Sequence, residues 1–238
     1  MLAHSWTDGE ALRRQRRSVI DRRLSERPGH GTRTTTTKRL PLRLKNWRLK
    51  CAIQRAFSAV PHGHLLNYVL QRTVGGLPLS AAEIDAHVET GHDHVEALAR
   101  HGVDPGASTV FEFGAGDDLH MPLIQHGFGV KRHVLVDIRP LAKSKLVLDN
   151  VTYLTENPPA HESWQGITAG STLQDVLDRN GLEYQAPSDA AQTKLDDASV
   201  DAVLTSNTLE HIPPADIRNI YAECHRILRP GGVMSMLI

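Results

Sequence analysis

Thr109-Val110-Phe111-Glu112-Phe113-Gly114-Ala115-Gly116 is the stretch that decides the fold. An apolar, β-prone run ends in an acid and a tight glycine turn, the mark of a strand feeding a loop. A second run of this kind, Val134-Leu135-Val136, ends in Asp137, 21 positions after Gly116. A glycine turn after one strand and a carboxylate at the tip of the next is how open α/β sheets hold a nucleoside. The glycines let backbone approach a ligand, and the distal carboxylate accepts hydrogen bonds from a ribose diol.

Outward from that stretch the pattern alternates. Strands are predicted over 109–113, 133–137, 182–185 and 201–206, with a fifth from Gly232 or Val233. Helices are predicted near 120–126 and over 141–154, 172–180 and 215–228, although 151–154 also reads as extended. Residues 155–170, with Pro158-Pro159, read as a loop. Ser80-Ala81-Ala82-Glu83 is a capping-box pattern, so a helix is predicted from Ala81, breaking at Gly91 and resuming through Ala99. Repeated βα units require a parallel sheet with right-handed crossovers. The predicted fold is therefore α/β, a doubly wound, mainly parallel Rossmann-like sheet ending at strand five, with an N-terminal helical extension.

A third segment sharpens the reading. Residues 196–212 give a turn, a buried strand and the start of a loop or helix, and Leu228-Arg229-Pro230-Gly231-Gly232 closes the following helix. With the Glu112-x-Gly114-x-Gly116 turn and Asp137, the Ser-Val-Asp-Ala-Val-Leu strand, Leu-Glu-His-Ile and Leu-Arg-Pro-Gly-Gly resemble the class I S-adenosylmethionine-dependent methyltransferases. The resemblance covers 110–238, a little over half of the chain. That family continues after strand five with a helix and two more strands. A sheet ending at strand five predicts an apolar edge, reduced stability or self-association.

Composition bounds the alternatives. The chain has 238 residues, 40% hydrophobic and 23% charged, which allows one large domain or a domain with an extension. No run approaches the 18 apolar residues of a membrane span, and no apolar leader with a cleavage site is visible. Cys51 and Cys224 suggest no disulfide framework, which fits a reducing cytoplasm. The zero net charge hides an asymmetry: residues 1–60 carry 15 Lys/Arg against 4 Asp/Glu, and 61–238 carry 12 against 23. The predicted organisation is a basic, partly disordered extension over 1–60, a helical cap over 61–105, and a cofactor-binding core over 106–238. Within 40–57, Leu44, Trp47, Leu49, Ile53 and Phe57 fall on one face of a basic helical pattern. The basic segment reads either as a solvated tail or as a tether to nucleic acid, an anionic membrane or a phosphorylated substrate.

The resemblance implies site residues one by one. Glu112 orders the glycine loop or meets the cofactor's amino group, and Phe113, Gly114, Ala115 and Gly116 form that loop. Gly114 and Gly116 leave room for the methionine portion of S-adenosylmethionine. Asp137 takes the ribose hydroxyls, and Ile138 packs on the adenine. Asp189 and Ala190 follow strand three where an acid meets the adenine amino group, with Ser188 or the Ala190 backbone as alternatives. Asn207 stands at the end of strand four. His211 is a candidate general base, or else shapes the pocket. The family's third glycine is Asp118 here. The pair Asp117-Asp118 disfavours a pyrophosphate ligand and suits a sulfonium.

His62/His64 and His92/His94 read as poor metal pairs, because i and i+2 on a helix face apart. Tyr68, Gln71 and Arg72 read as cap residues that touch the acceptor or simply pack. With three scattered tryptophans there is no stacking platform for nucleic acid. The resemblance implies methyl transfer to an O or N atom of a small-molecule or glycan-type acceptor. The alternatives are a degenerate, non-catalytic domain that binds cofactor or a partner, an RNA methyltransferase guided by the basic N-terminus, and an NAD-dependent oxidoreductase. The last predicts a third glycine and a Tyr-x-x-x-Lys set, and neither is evident in the sequence.

Overall fold

The computed structural model describes residues 80–237. The basic segment, the predicted helix within 40–57, His62, His64, Tyr68 and Arg72 lie outside the described residues. The elements in order are α1 (Ala81–Arg100), β1 (Thr109–Phe113), α2 (His120–Gly127), β2 (Arg132–Val136), α3 (Ser144–Glu156), α4 (Leu173–Arg179), β3 (Leu182–Gln185), β4 (Val200–Ser206), a 3-10 turn (Leu209–His211), α5 (Pro214–Ile227) and β5 (Leu228–Leu237). The five strands form one sheet in the order β3-β2-β1-β4-β5, and every pairing is parallel. This is the Rossmann-like architecture expected. None of the described helices is long and apolar enough to cross a membrane.

The central strands are covered on both faces, which explains their nearly continuous apolar sequences. Alternation still divides their side chains, because successive residues of a strand point to opposite faces. Val110, Ala202 and Leu204 pack with α1 and α2, and Leu135 packs with α2, α3 and α4. Phe111, Phe113, Val134, Val136 and Val203 face the other way, against Ile220, Cys224 and Ile227 of α5. Between β3 and β4 no helix forms, and Ala190, Ala191 and Leu195 of that connection complete the α5 side. α5 therefore stands as the single helix on its face of the described sheet.

The capping box at Ser80 forms as expected: the Ser80 backbone N–H donates to Glu83 Oε2 at 2.8 Å, and the Glu83 N–H donates back to Ser80 Oγ at 3.4 Å. Two expectations need correction. α1 does not break at Gly91; it runs straight through, with Gly91 buried. A Cβ there would stand 2.5 Å from Ile124 Cγ2, so the glycine lets α1 and α2 approach closely. The second concerns α3, which starts at Ser144 rather than Leu141 and stays helical through 151–154. The Leu141 and Ala142 N–H groups donate instead to the Tyr184 hydroxyl, at 3.0 and 3.2 Å. β5 is longer than expected: Leu228 pairs with Val200 and Val233 with Ala202, so Arg229-Pro230-Gly231-Gly232 bulges out within a strand. Met236 and Leu237, near its end, are 40% and 39% exposed.

Candidate functional site

A cleft of about 1220 Å³ opens at the carboxyl ends of the strands, between the β1 turn, the 188–192 segment and α5. That is where open parallel sheets place ligands. It gathers Phe113, Gly114, Gly116, Asp137, Ile138, Asp189, Ala190, Asn207 and His211, nearly all of the residues singled out from sequence. Two do not line it. Ala115 is buried under Leu119 and Leu123, and Glu112 lies behind the turn, 2% exposed. Leu141, Ser188, Thr208, Ile212 and Ile220 line it as well.

Gly116 has φ +82° and nothing within 4 Å of the position its Cβ would take. Its free side faces ligand space, and a side chain there would be strained as well as intrusive. Gly114 (φ +77°) is a glycine for another reason than the one expected. The Thr208 side chain fills the place of its Cβ, so packing within the protein excludes a side chain there. Thr208 Oγ1 lies within donating distance of the Ser206 carbonyl, at 3.1 Å, and of the Gly114 carbonyl, at 3.4 Å, and the second contact joins the β1 turn to the end of β4.

Asp137 is held from several sides. The Tyr184 hydroxyl donates to its Oδ2 at 3.0 Å, and the Gly116 N–H also bonds its carboxylate. Its main chain is fixed by the Asp137 N–H to the Gln185 carbonyl and the Ser188 N–H to the Asp137 carbonyl. Burial pushes its carboxyl up to about 7, against the pull of those hydrogen bonds. Burial raises the Tyr184 phenol to about 12, so it remains a donor. Tyr184 was not anticipated from sequence. Its place follows from strand register, Leu135 beside Tyr184 and Val136 beside Gln185, which no local pattern announces. Ile138 is 63% exposed at the cleft, available to lie against a flat ligand.

Glu112 is strongly perturbed electrostatically. Burial first, and then the Asp137 carboxylate, lift it to about 8. Its Oε2 has no hydrogen-bond partner, which is costly for a buried oxygen. The two acids after the turn behave differently from expectation: neither lines the cleft. Asp118 is 6% exposed and its Oδ1 meets His120 Nδ1 at 2.5 Å. Burial opposes its ionisation, but the His120 bonds prevail and hold its carboxyl below the ordinary range. Burial raises Asp117.

At the far side, Asn207 takes φ +52° and its N–H donates to the Leu237 carbonyl at 3.0 Å. Asparagine tolerates this left-handed conformation better than most residues. Ser206, just before it, meets His94 Nε2 at 3.0 Å, and Ser235 meets His94 Nδ1 at 2.7 Å. His94 is 5% exposed and burial lowers its pKa, so a neutral imidazole ties α1 to the ends of β4 and β5. His92 points elsewhere, against Phe128 and His161. His211 lies in the 3-10 turn with 74% of its side chain exposed, its Nε2 3.9 Å from Glu210. Along α5, Arg226 is fully engaged by Glu223, Asp197 and the Leu195 carbonyl, and holds Glu223 down at about 2.

Residues 162–236 match the family model described as a methyltransferase domain. No curated protein matches the chain. Among solved structures, geranyl diphosphate C-methyltransferase from Streptomyces coelicolor A3(2) is similar at 16% identity and TM-score 0.40, over 61% of this chain and 44% of that one. Phosphoethanolamine N-methyltransferase 1 of Haemonchus contortus is similar at 15% identity and TM-score 0.44, over 77% and 32%. A Methanococcus maripaludis protein described as a putative S-adenosylmethionine-dependent methyltransferase is similar at 15% identity and TM-score 0.40, over 66% and 62%. The chain thus spans about half the length of the solved structures it matches. Through the segment 162–236, the chain is similar to proteins that carry a methyltransferase domain.

Proposed function

We propose that the cleft binds S-adenosylmethionine and that the chain transfers its methyl group to an O or N atom of an uncharged small-molecule or glycan-type acceptor. The observation that carries the cofactor assignment is the pairing of Asp137 with Gly116 across the cleft floor. The residues present fit the group. Gly116 leaves a space that a Cβ would fill, Asp137 presents a carboxylate already oriented by Tyr184, and Glu112 keeps an orphan oxygen behind the turn. Asp137 would hold the ribose hydroxyls, Ile138 the adenine face, and Ser188, Asp189 or the Ala190 backbone the adenine amino group.

When bound, the cofactor supplies a methyl group already activated on a sulfonium. The work left to the chain is positioning and the exclusion of competing nucleophiles. Asn207 and Thr208 stand at the end of β4, fixed by Leu237 and Ser206, where an acceptor would be aligned. His211 borders the same cleft and is free to take a proton from a hydroxyl or amine. An anionic acceptor is disfavoured. Among the described lining residues Arg226 is the single Lys or Arg, and it is consumed by its own carboxylate partners.

The test is calorimetric titration of the full chain with S-adenosylmethionine and S-adenosylhomocysteine, NAD serving as control and an Asp137→Ala variant alongside. Micromolar binding of both sulfur nucleosides, lost in the variant, is expected. A folded chain that binds neither overturns the assignment and leaves a degenerate domain, and selective NAD binding moves the case to an oxidoreductase.

A further inference from the structure

A second ligating cluster stands away from the cleft, on the outer face of α1. One ligand atom from each of His92, Asp93 and Glu96 falls within 4.8 Å of the others. None of the three lines the cleft. His92 and Glu96 are i and i+4 on one helix, so they share a face, and Asp93 sits at its edge. The imidazole is set in place by rings. Its centroid lies 4.9 Å from Phe128 in an edge contact and 4.1 Å from His161. Both of these rings are braced in turn, since Phe128 also packs edge-on against His161 and Trp164.

We infer that His92, Asp93 and Glu96 form a binding site for one divalent transition cation, of which Zn²⁺ is the probe. One imidazole nitrogen with two carboxylates suits borderline cations and disfavours the all-oxygen preference of Mg²⁺. Water completes the coordination sphere, because Asp93 and Glu96 are exposed. His161 is a positioning residue rather than a ligand. Its Nδ1 accepts from the Ser163 N–H at 3.2 Å, and its ring stands against the His92 imidazole. Glu96 pairs with Arg100 at 2.9 Å in an exposed contact, and an exposed pair of that kind yields readily to a dication. Because His161 and Trp164 belong to the segment after α3, the cation would lock α1 to that segment through the His92 ring.

The experiment uses the full chain after chelator treatment, titrated with Zn²⁺ and in parallel with Mg²⁺, read by calorimetry and by the thermal midpoint. One equivalent of Zn²⁺ is expected, with a raised midpoint and no response to Mg²⁺. His92→Phe keeps a ring against Phe128 and removes the ligand, while Glu96→Gln removes a carboxylate. Each should weaken Zn²⁺ at least ~10-fold, and His161→Ala should weaken it by less, as outer groups do. The chain has 14 histidines, so the variants decide the location. Absence of stoichiometric uptake by the wild type, or undiminished uptake by folded His92→Phe and Glu96→Gln chains, overturns the proposal.

Discussion

Glu112→Gln tests the electrostatics of the site more sharply than any other change. Glu112 lies between β2 and β4 in the sheet, opposite Leu135 and Leu204, with its carboxyl held at about 8 against an ordinary 4.5. Asp137 titrates first, at about 7, and its charge then adds to burial in keeping Glu112 protonated. Between pH 4.5 and 8 the native chain therefore carries a proton that the unfolded chain has lost. Stability falls as pH rises through that window and levels off above it. At ~1.4 kcal/mol per pH unit, the gap sets a ceiling of ~5 kcal/mol on the loss. Glutamine is close in shape to the neutral acid and does not titrate, so the two chains should agree within ~1 kcal/mol at pH 5. By pH 9 the variant should be the more stable by several kcal/mol, near 2 M in urea midpoint for a slope of ~2–3 kcal/mol per molar. Urea unfolding followed by circular dichroism at pH 5, 6, 7, 8 and 9 gives both curves. Parallel curves across that range would refute the reasoning, because they would mean that Glu112 is ionised in the native chain at no cost.

Three further outcomes follow from the same geometry. S-adenosylhomocysteine affinity should rise roughly tenfold from pH 6 to pH 8, as Asp137, at about 7, becomes the carboxylate that a diol needs; Asp137→Asn should abolish that slope in calorimetry. Tyr184→Phe removes a donor to Asp137 and should move the same pH curve upward, and an unmoved curve would show that the phenol does not support the carboxylate. Gly91→Val drives a side chain into Ile124 and should cost ~1–3 kcal/mol with a lower thermal midpoint, and an unchanged midpoint would mean that α1 and α2 are not in close contact.

The parts of this molecule legible in its sequence are those whose causes are local. β1, β2 and β4 are buried on both faces, so they read as apolar runs, and the Ser80 capping box is a contact three residues long. Asp137 and Gly116 could be found because a strand tip and a glycine turn have fixed sequence positions relative to their strands. The rest was hidden by distance in the chain. The backbone before α3 is drawn out of helix by a hydroxyl 43 and 42 residues away on Tyr184. β5 survives the Pro-Gly-Gly run because Val200 holds Leu228 and Ala202 holds Val233 on either side of it. Gly91 looked like a helix break because the Ile124 side chain that requires it lies on another helix.

The two turn glycines show why a motif can be right in pattern while its reasons differ by position. Gly114 and Gly116 occupy matching places in one signature and have nearly equal φ values of +77° and +82°. Yet a side chain at Gly114 would strike Thr208, whereas one at Gly116 would meet nothing but the cleft. Only the second is a statement about a ligand. A substitution at Gly114 should therefore be rescued in part by shrinking Thr208, with stability and binding returning together. One at Gly116 has no such partner and should lower cofactor affinity by more than its backbone strain of ~1 kcal/mol lowers stability. The difference between those two responses separates what the turn does for the fold from what it does for the cofactor.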